Sequence, residues 1–185
     1  EVGSVPEVGD RAPRSSDGRI AFPSAKLVLL VFLRHCGCPF AEKTFRSLTK
    51  FSTKHPEIQC IAVSQGSPAE TDKWIAETGG EWNVEVIPDE RRELFAQWGL
   101  GLTSTWHAMN PWVWYQTYRL GKGEGIWGSS GASLGSAVSG PPREAGTMWQ
   151  MSGAFAVEAN GSVAWSHVAR AASDVPDFAE ALKTL

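Results

Sequence analysis

The chain is short of several things, and each shortage removes a class of function. Only three of its 185 residues are cysteine, an odd number, so the disulfide framework of a small secreted scaffold is ruled out. A reducing, cytoplasmic setting is the expectation. Long apolar runs are missing too. The longest, Leu27 to Leu33, falls far below the roughly 20 residues that span a bilayer, so no membrane partner is expected. Basic excess is absent: 17 Lys and Arg against 20 Asp and Glu leave a net charge of −3 and no argument for nucleic acid. The opening "EVGSVPEVGDRAPRSSDG" lacks the apolar centre of a signal peptide, although a chain that begins at Glu is compatible with a removed leader.

Tryptophan, by contrast, is plentiful. There are nine, and Trp106, Trp112, Trp114, Trp127 and Trp149 fall close together. The surrounding stretch also holds seven glycines between 121 and 140 and the pair Pro141-Pro142. A segment this long without periodicity is expected to be a functional lid or partly disordered, and 101–148 is read as an insertion in a single domain spanning 1–185.

The remainder is regular. "KLVLLVFL" (26–33) is a continuous, branched apolar run that suits a strand buried on both faces. Ala41, Phe45, Leu48 and Phe51 then recur at helical spacing, predicting a helix from about 38 to 54. A strand is predicted at 58–64, and a helix capped by Ser67 with Pro68 and Glu70 in its first turn. A third strand follows at 84–88, then a helix across "DERRELFAQWG" with Asp89 near its start and Gly99 past its end. The order β-α-β-α-β-α implies parallel strands with helices on the sheet faces, an α/β domain. Beyond the insertion, apolar runs around Asn160-Gly161 predict a β-hairpin, and "DVPDFAEALKTL" a last helix with Pro176 in its first turn. Trp82, Trp98 and Trp165 sit on predicted element faces and are expected in the core.

"LRHCGCPFAEK" (33–43) straddles the first strand-to-helix turn and carries two of the cysteines. A thiol at a helix start faces unpaired backbone N–H groups and the positive end of the helix dipole, which favour the thiolate. Cys38 is therefore the candidate nucleophile, with Arg34 and His35 as neighbours able to add positive charge. An inert, packed thiol is the plain alternative. Cys36 leaves two readings open: a strained, easily reduced disulfide with Cys38, or a small hydrophobe turned into the sheet. Cys60, inside an apolar strand, reads as core. A metal site is not expected, because His35, Cys36 and Cys38 have no second ligand pair nearby, and His107 or His167 would have to come from far along the chain.

Three stretches carry a family resemblance: "VGDRAP" (8–13), "VFLRHCGCPFAEK" (31–43) and "WQMSGAFAVEANGSVAWSHVA" (149–169). Together they resemble the peroxiredoxin-like, AhpC/TSA-type branch of the thioredoxin-fold superfamily. The resemblance implies a thioredoxin-like fold, a central mixed β-sheet flanked by helices with the Trp/Gly-rich insertion before the C-terminal hairpin. It places Cys38 on the first cysteine of a Cys-Pro-Phe-Cys pattern whose second cysteine is Ala41 here. It sets His35 where peroxiredoxins have a threonine, Ser152 where they have an arginine, and Gly153 where thioredoxins have a cis-proline.

The implied activity is a thiol-dependent oxidoreductase that reduces a peroxide or disulfide through Cys38, with Cys36, Arg34 and His35 completing the catalytic set. No tightly bound cofactor is expected; an external thiol, glutathione or thioredoxin, would serve as reductant. The insertion suits an aromatic lid over a small-molecule substrate, with Trp106, His107, Trp112, Trp114 and Tyr115 as binding residues alongside Gly153. It suits equally a satellite core or a homodimer contact. Two other functions compete: a thioredoxin-fold enzyme turned to secondary-metabolite chemistry in that aromatic pocket, and a non-catalytic binding module.

Overall fold

The structure, a computed structural model, describes residues 1–102, 115, 116, 118, 119, 122, 123, 146 and 149–185. Five strands form one sheet: β1 (Val28–Phe32), β2 (Gln59–Ser64), β3 (Val84–Pro88), β4 (Gly153–Val157) and β5 (Val163–Val168), in the order β3-β2-β1-β4-β5. β1, β2 and β3 run parallel, while β4 is antiparallel to both β1 and β5. This is the expected mixed sheet. β1 lies at its centre with every residue buried, as its unbroken apolar sequence requires.

The helices are α1 (Pro39–Lys54), α2 (Pro68–Thr78), α3 (Glu93–Gln97) and α4 (Phe178–Lys183). Alternate strand residues face opposite ways, so the sheet has two cores. On one face Leu29, Val31 and Leu33 pack with Phe45 and Leu48 of α1, Trp74 and Ile75 of α2, and Phe178 of α4. On the other, Phe32 meets Phe95 edge to face at 5.0 Å between ring centroids, and Trp98 lies 4.8 Å from Phe155. The expected core positions of Trp98 and Trp165 hold.

Three local expectations change. α3 begins at Glu93 rather than near Asp89, because Arg92 adopts a left-handed backbone (φ 57°) that no helix can run through. Asp89 instead caps α3 from outside, its Oδ2 accepting from the backbone N–H of Leu94 at 2.8 Å and of Phe95 at 3.3 Å. Pro176 precedes α4 instead of sitting in its first turn, since Asp177 is the N-cap and accepts from Ala179 N–H. Trp82 is not core: it is 72% exposed.

The hairpin forms as read. Gly161 at φ 92° supplies its left-handed residue and donates to the Glu158 carbonyl. The N-terminal segment lies along the start of β5, where Gly9 N–H donates to Val163 O and Ala12 N–H to Gly161 O.

Candidate active site

β1 ends at Phe32, and Leu33 extends the ladder by one bond, its N–H donating to Val63 O at 2.9 Å. The chain then turns within five residues into α1. Gly37 makes this possible at φ 90°, a conformation that a side chain strongly disfavours. Cys38 N–H donates to the His35 carbonyl at 3.1 Å, closing the turn. Cys38 is the N-cap of α1 with extended backbone, Pro39 stands at the first helical position, and the Cys38 carbonyl accepts from Glu42 N–H. No side chain caps the helix. The cap is thus a thiol beside backbone N–H groups left without intrahelical partners.

The two cysteines are not equivalent. Because β1 has ended and Gly37 is left-handed, strand geometry cannot put both thiols on one side. Cys36 turns toward β2: its sulfur lies 3.6 Å from Ser64 Oγ, which in turn lies 2.9 Å from Thr71 Oγ1 on α2 and accepts from Gly66 N–H at 3.2 Å. Burial pushes the Cys36 thiol up, with the Ser64 hydrogen bond opposing and the Glu70 carboxylate adding to the rise. Cys36, Cys38 and Cys60 are all free thiols and all buried. Cys60 is core as expected, its thiol pushed up to about 12 mainly by burial, with Glu57 adding.

His35 departs from expectation in one respect. The ring is buried, and burial followed by the neighbouring Arg34 charge lowers its pKa to about 3. It is neutral at physiological pH and adds no positive charge to the turn. Neither ring nitrogen has a hydrogen-bond partner among the described residues. Arg34 is also buried, so a guanidinium, always charged, sits one residue earlier.

Arg34 lines a cleft between α1, the start of β4, the end of β5 and the segment before α4, together with Ala41, Thr44, Ser152, Gly153 and His167. The enclosed space is about 10 Å³, room for a single water. Ala41, where the resemblance puts the second cysteine of the pattern, is buried here. Gly153 opens β4 opposite Phe32, and a Cβ there would stand 3.1 Å from the His167 carbonyl. At the cleft His167 Nε2 stands 3.0 Å from Asp174 Oδ1 without hydrogen-bond alignment, and the His167 ring stacks on Trp165. Sequence reading passed over this pair: nothing local links two residues on either side of a loop.

Of the expected substrate-binding residues, Trp106, His107, Trp112 and Trp114 lie outside the described residues. Tyr115 is half exposed. Of the described residues between 103 and 148, Gly146 approaches the end of β2: a Cβ on it, at φ 94°, would stand 2.5 Å from Cγ of Gln65, the buried residue immediately after β2. Among the described residues no three His, Cys, Asp or Glu side chains gather as a metal site would need.

A family profile described as AhpC/TSA antioxidant enzyme matches residues 43–171. The chain belongs to this family. The AhpC/TSA match starts five residues after Cys38, so the standing of Cys38 rests on its geometry. No curated protein matches the chain. Among solved structures, a peroxiredoxin-like protein from Aquifex aeolicus superposes with a TM-score of 0.64 at 15% identity, covering 98% of this chain and 87% of that one. A thiol peroxidase from Chromobacterium violaceum gives 0.59 at 17% identity over 98% and 87%. PrxQ of Xylella fastidiosa gives 0.61 at 13% over 97% and 94%. At these identities the likeness establishes the thioredoxin-type fold of an AhpC/TSA protein. Among the described residues no helix is long and apolar enough to cross a membrane.

Proposed function

We propose that this AhpC/TSA-family protein is a thiol-dependent peroxidase with Cys38 as nucleophile and an external thiol, such as glutathione or thioredoxin, as reductant. One observation carries the reading: Cys38 is the uncapped N-cap of α1 at the end of the central strand. A thiolate there attacks one peroxide oxygen. The S–O bond forms as the O–O bond breaks, and the departing oxygen takes a proton to leave as alcohol or water. Sulfur is oxidised to sulfenic acid and the peroxide reduced. An external thiol then attacks the Cys38 sulfur, water leaves, and a second thiol releases reduced Cys38 with formation of a disulfide.

An external reductant is favoured because Ala41 has no thiol and Cys36 is engaged with Ser64, its own ionisation opposed by burial. Arg34 is the proposed electrostatic support for charge on the departing oxygen. His35, neutral, offers one donor and one acceptor to a bound peroxide. The aromatic insertion remains the proposed cover for a small-molecule substrate, supported by the approach of Gly146 to Gln65.

A second reading, an inert packed thiol, is favoured by the burial of Cys38 at 4% exposure. Alkylation of each cysteine across pH, read by mass spectrometry before and after a peroxide pulse, separates the two. Rapid labelling of Cys38 at neutral pH and below, blocked by peroxide, is the expected result. Equally slow labelling of all three thiols, unchanged by peroxide, would overturn it.

A further inference from the structure

A net charge of −3 conceals an island of the opposite sign. α1 carries Lys43, Arg46, Lys50 and Lys54 against the single carboxylate of Glu42. Their spacing of three and four residues lays them in one stripe along the helix. Arg46 is held by Glu42 at 2.6 Å, whereas Lys50 and Lys54 have no acidic partner among the described residues. Beside this stripe runs a groove of about 540 Å³ between α1 and the C-terminal turn of α2, lined by Arg46, Lys50, Lys54, Thr49, Thr53 and Trp82.

The floor of the groove is apolar for a definable reason. Thr49 Oγ1 donates to Arg46 O at 2.9 Å, Thr53 Oγ1 to Thr49 O at 3.0 Å, and Thr78 Oγ1, also in the groove, to Ile75 O at 3.0 Å. With those protons spent inside their own helices, the hydroxyls have no donor left for a ligand. Trp82 is part of the lining. It is exposed, yet it is held: its backbone is left-handed at φ 51°, and its Nε1–H donates to the Gly79 carbonyl at 3.0 Å. A large indole fixed on the surface by an unfavourable backbone and a hydrogen bond is not an unplaced core residue.

We propose that this groove docks an acidic segment of a partner protein, one with carboxylates around an apolar or aromatic centre. Charge complementarity selects the carboxylates, which meet the unpaired Lys50 and Lys54. The methyl-lined floor and Trp82 select the apolar centre. From Arg46 to Lys54 the stripe extends about 12 Å, the reach of three or four extended residues, so a short segment fills it. Its other end continues through Lys43 toward the turn that holds Cys38, roughly 12 Å before Arg46.

The test is a titration of the full chain followed by NMR at the Trp82 indole N–H, assigned by its loss in Trp82→Phe. The probe is a synthetic peptide with Glu and Asp flanking a central Leu-Trp pair; its counterpart carries Lys and Arg at the acidic positions. The acidic peptide is expected to move the Trp82 signal, to bind about tenfold more weakly to the Lys50→Glu/Lys54→Glu variant, and to weaken as salt rises. These side chains are exposed, and an unchanged spectrum of core amides verifies that the variant is folded. An unmoved Trp82 signal, equal binding of the basic peptide, or unchanged affinity in the double variant overturns the proposal. Displacement of the acidic peptide by single-stranded RNA at lower concentration overturns it in favour of a nucleic-acid site. None of these outcomes depends on whether Cys38 reacts with peroxide.

Discussion

Two neighbouring parallel strands, β1 and β2, each turn into a helix at the same edge of the sheet, and the two turns are finished differently. At the end of β2, Ser67 caps α2, its hydroxyl accepting from Glu70 N–H at 3.3 Å, with Pro68 at the first helical position. At the end of β1, Pro39 holds the same position, but the cap is Cys38 and makes no side-chain bond. One turn uses its cap to satisfy the helix. The other leaves the helix N–H groups open beside a sulfur. The β2 turn even supports its neighbour, since Ser64 and Thr71 hold Cys36 away on its own side. The comparison teaches that the proposed reactive position is one where a stabilising cap is left out.

The largest expected effect comes from making the first turn like the second. Cys38→Ser supplies a hydroxyl cap and removes the nucleophile. Peroxide consumption, followed in a coupled thiol assay, is expected to vanish while the melting temperature stays level or rises. A residual rate close to wild type would place the chemistry elsewhere.

Next is the acid stability of the β1 turn. His35 has a folded pKa of about 3, against about 6.5 when unfolded. The unfolded chain therefore binds the extra proton first, and stability falls as pH drops from about 6.5 toward 3, with none of this loss above 6.5. The steepness is up to about 1.4 kcal/mol per pH unit. Denaturant unfolding of wild type and His35→Leu should diverge in slope within this window alone; parallel curves would show that the ring is not buried as a neutral group.

Smaller effects probe the β2 turn. Ser64→Ala removes the acceptor for Gly66 N–H and the partner of Thr71, costing about 1–3 kcal/mol by chemical denaturation. Ser67→Ala loses one capping bond and should cost about 1 kcal/mol. Smallest of all, Cys36→Ala should leave the rate of peroxide consumption with external thiol unchanged. A marked fall would make Cys36 the resolving thiol and undo the distinction between the two cysteines.

Much of this was legible because it is local. The uninterrupted apolar residues of β1, the change from strand to helical spacing after Cys38, and the Ser67-Pro68-Glu70 cap each act over a few residues. The readings that failed turned on backbone conformation and burial, which residue type alone does not set. α3 started late because the Asp89 carboxylate and the left-handed Arg92 replaced the helical turn that composition suggested. Trp82 resembled a core residue in hydrophobicity, but no described element packs over it. His35 looked like a source of positive charge until the fold buried it beside Arg34.

By itself the sequence determined the strand faces, the starts of α1 and α2 and the placing of a thiol at the first strand-to-helix turn, since backbone propensity and apolar periodicity act between near neighbours. Only the tertiary structure decided which cysteine stays at the helix start and which is held by Ser64. It also decided that His35 is neutral, that His167 meets Asp174, and that Trp82 and the lysines of α1 share a groove. Charge state and exposure depend on the groups that the sheet register and helix packing bring together, near in the chain as His167 with Asp174 or far apart as Cys36 with Ser64.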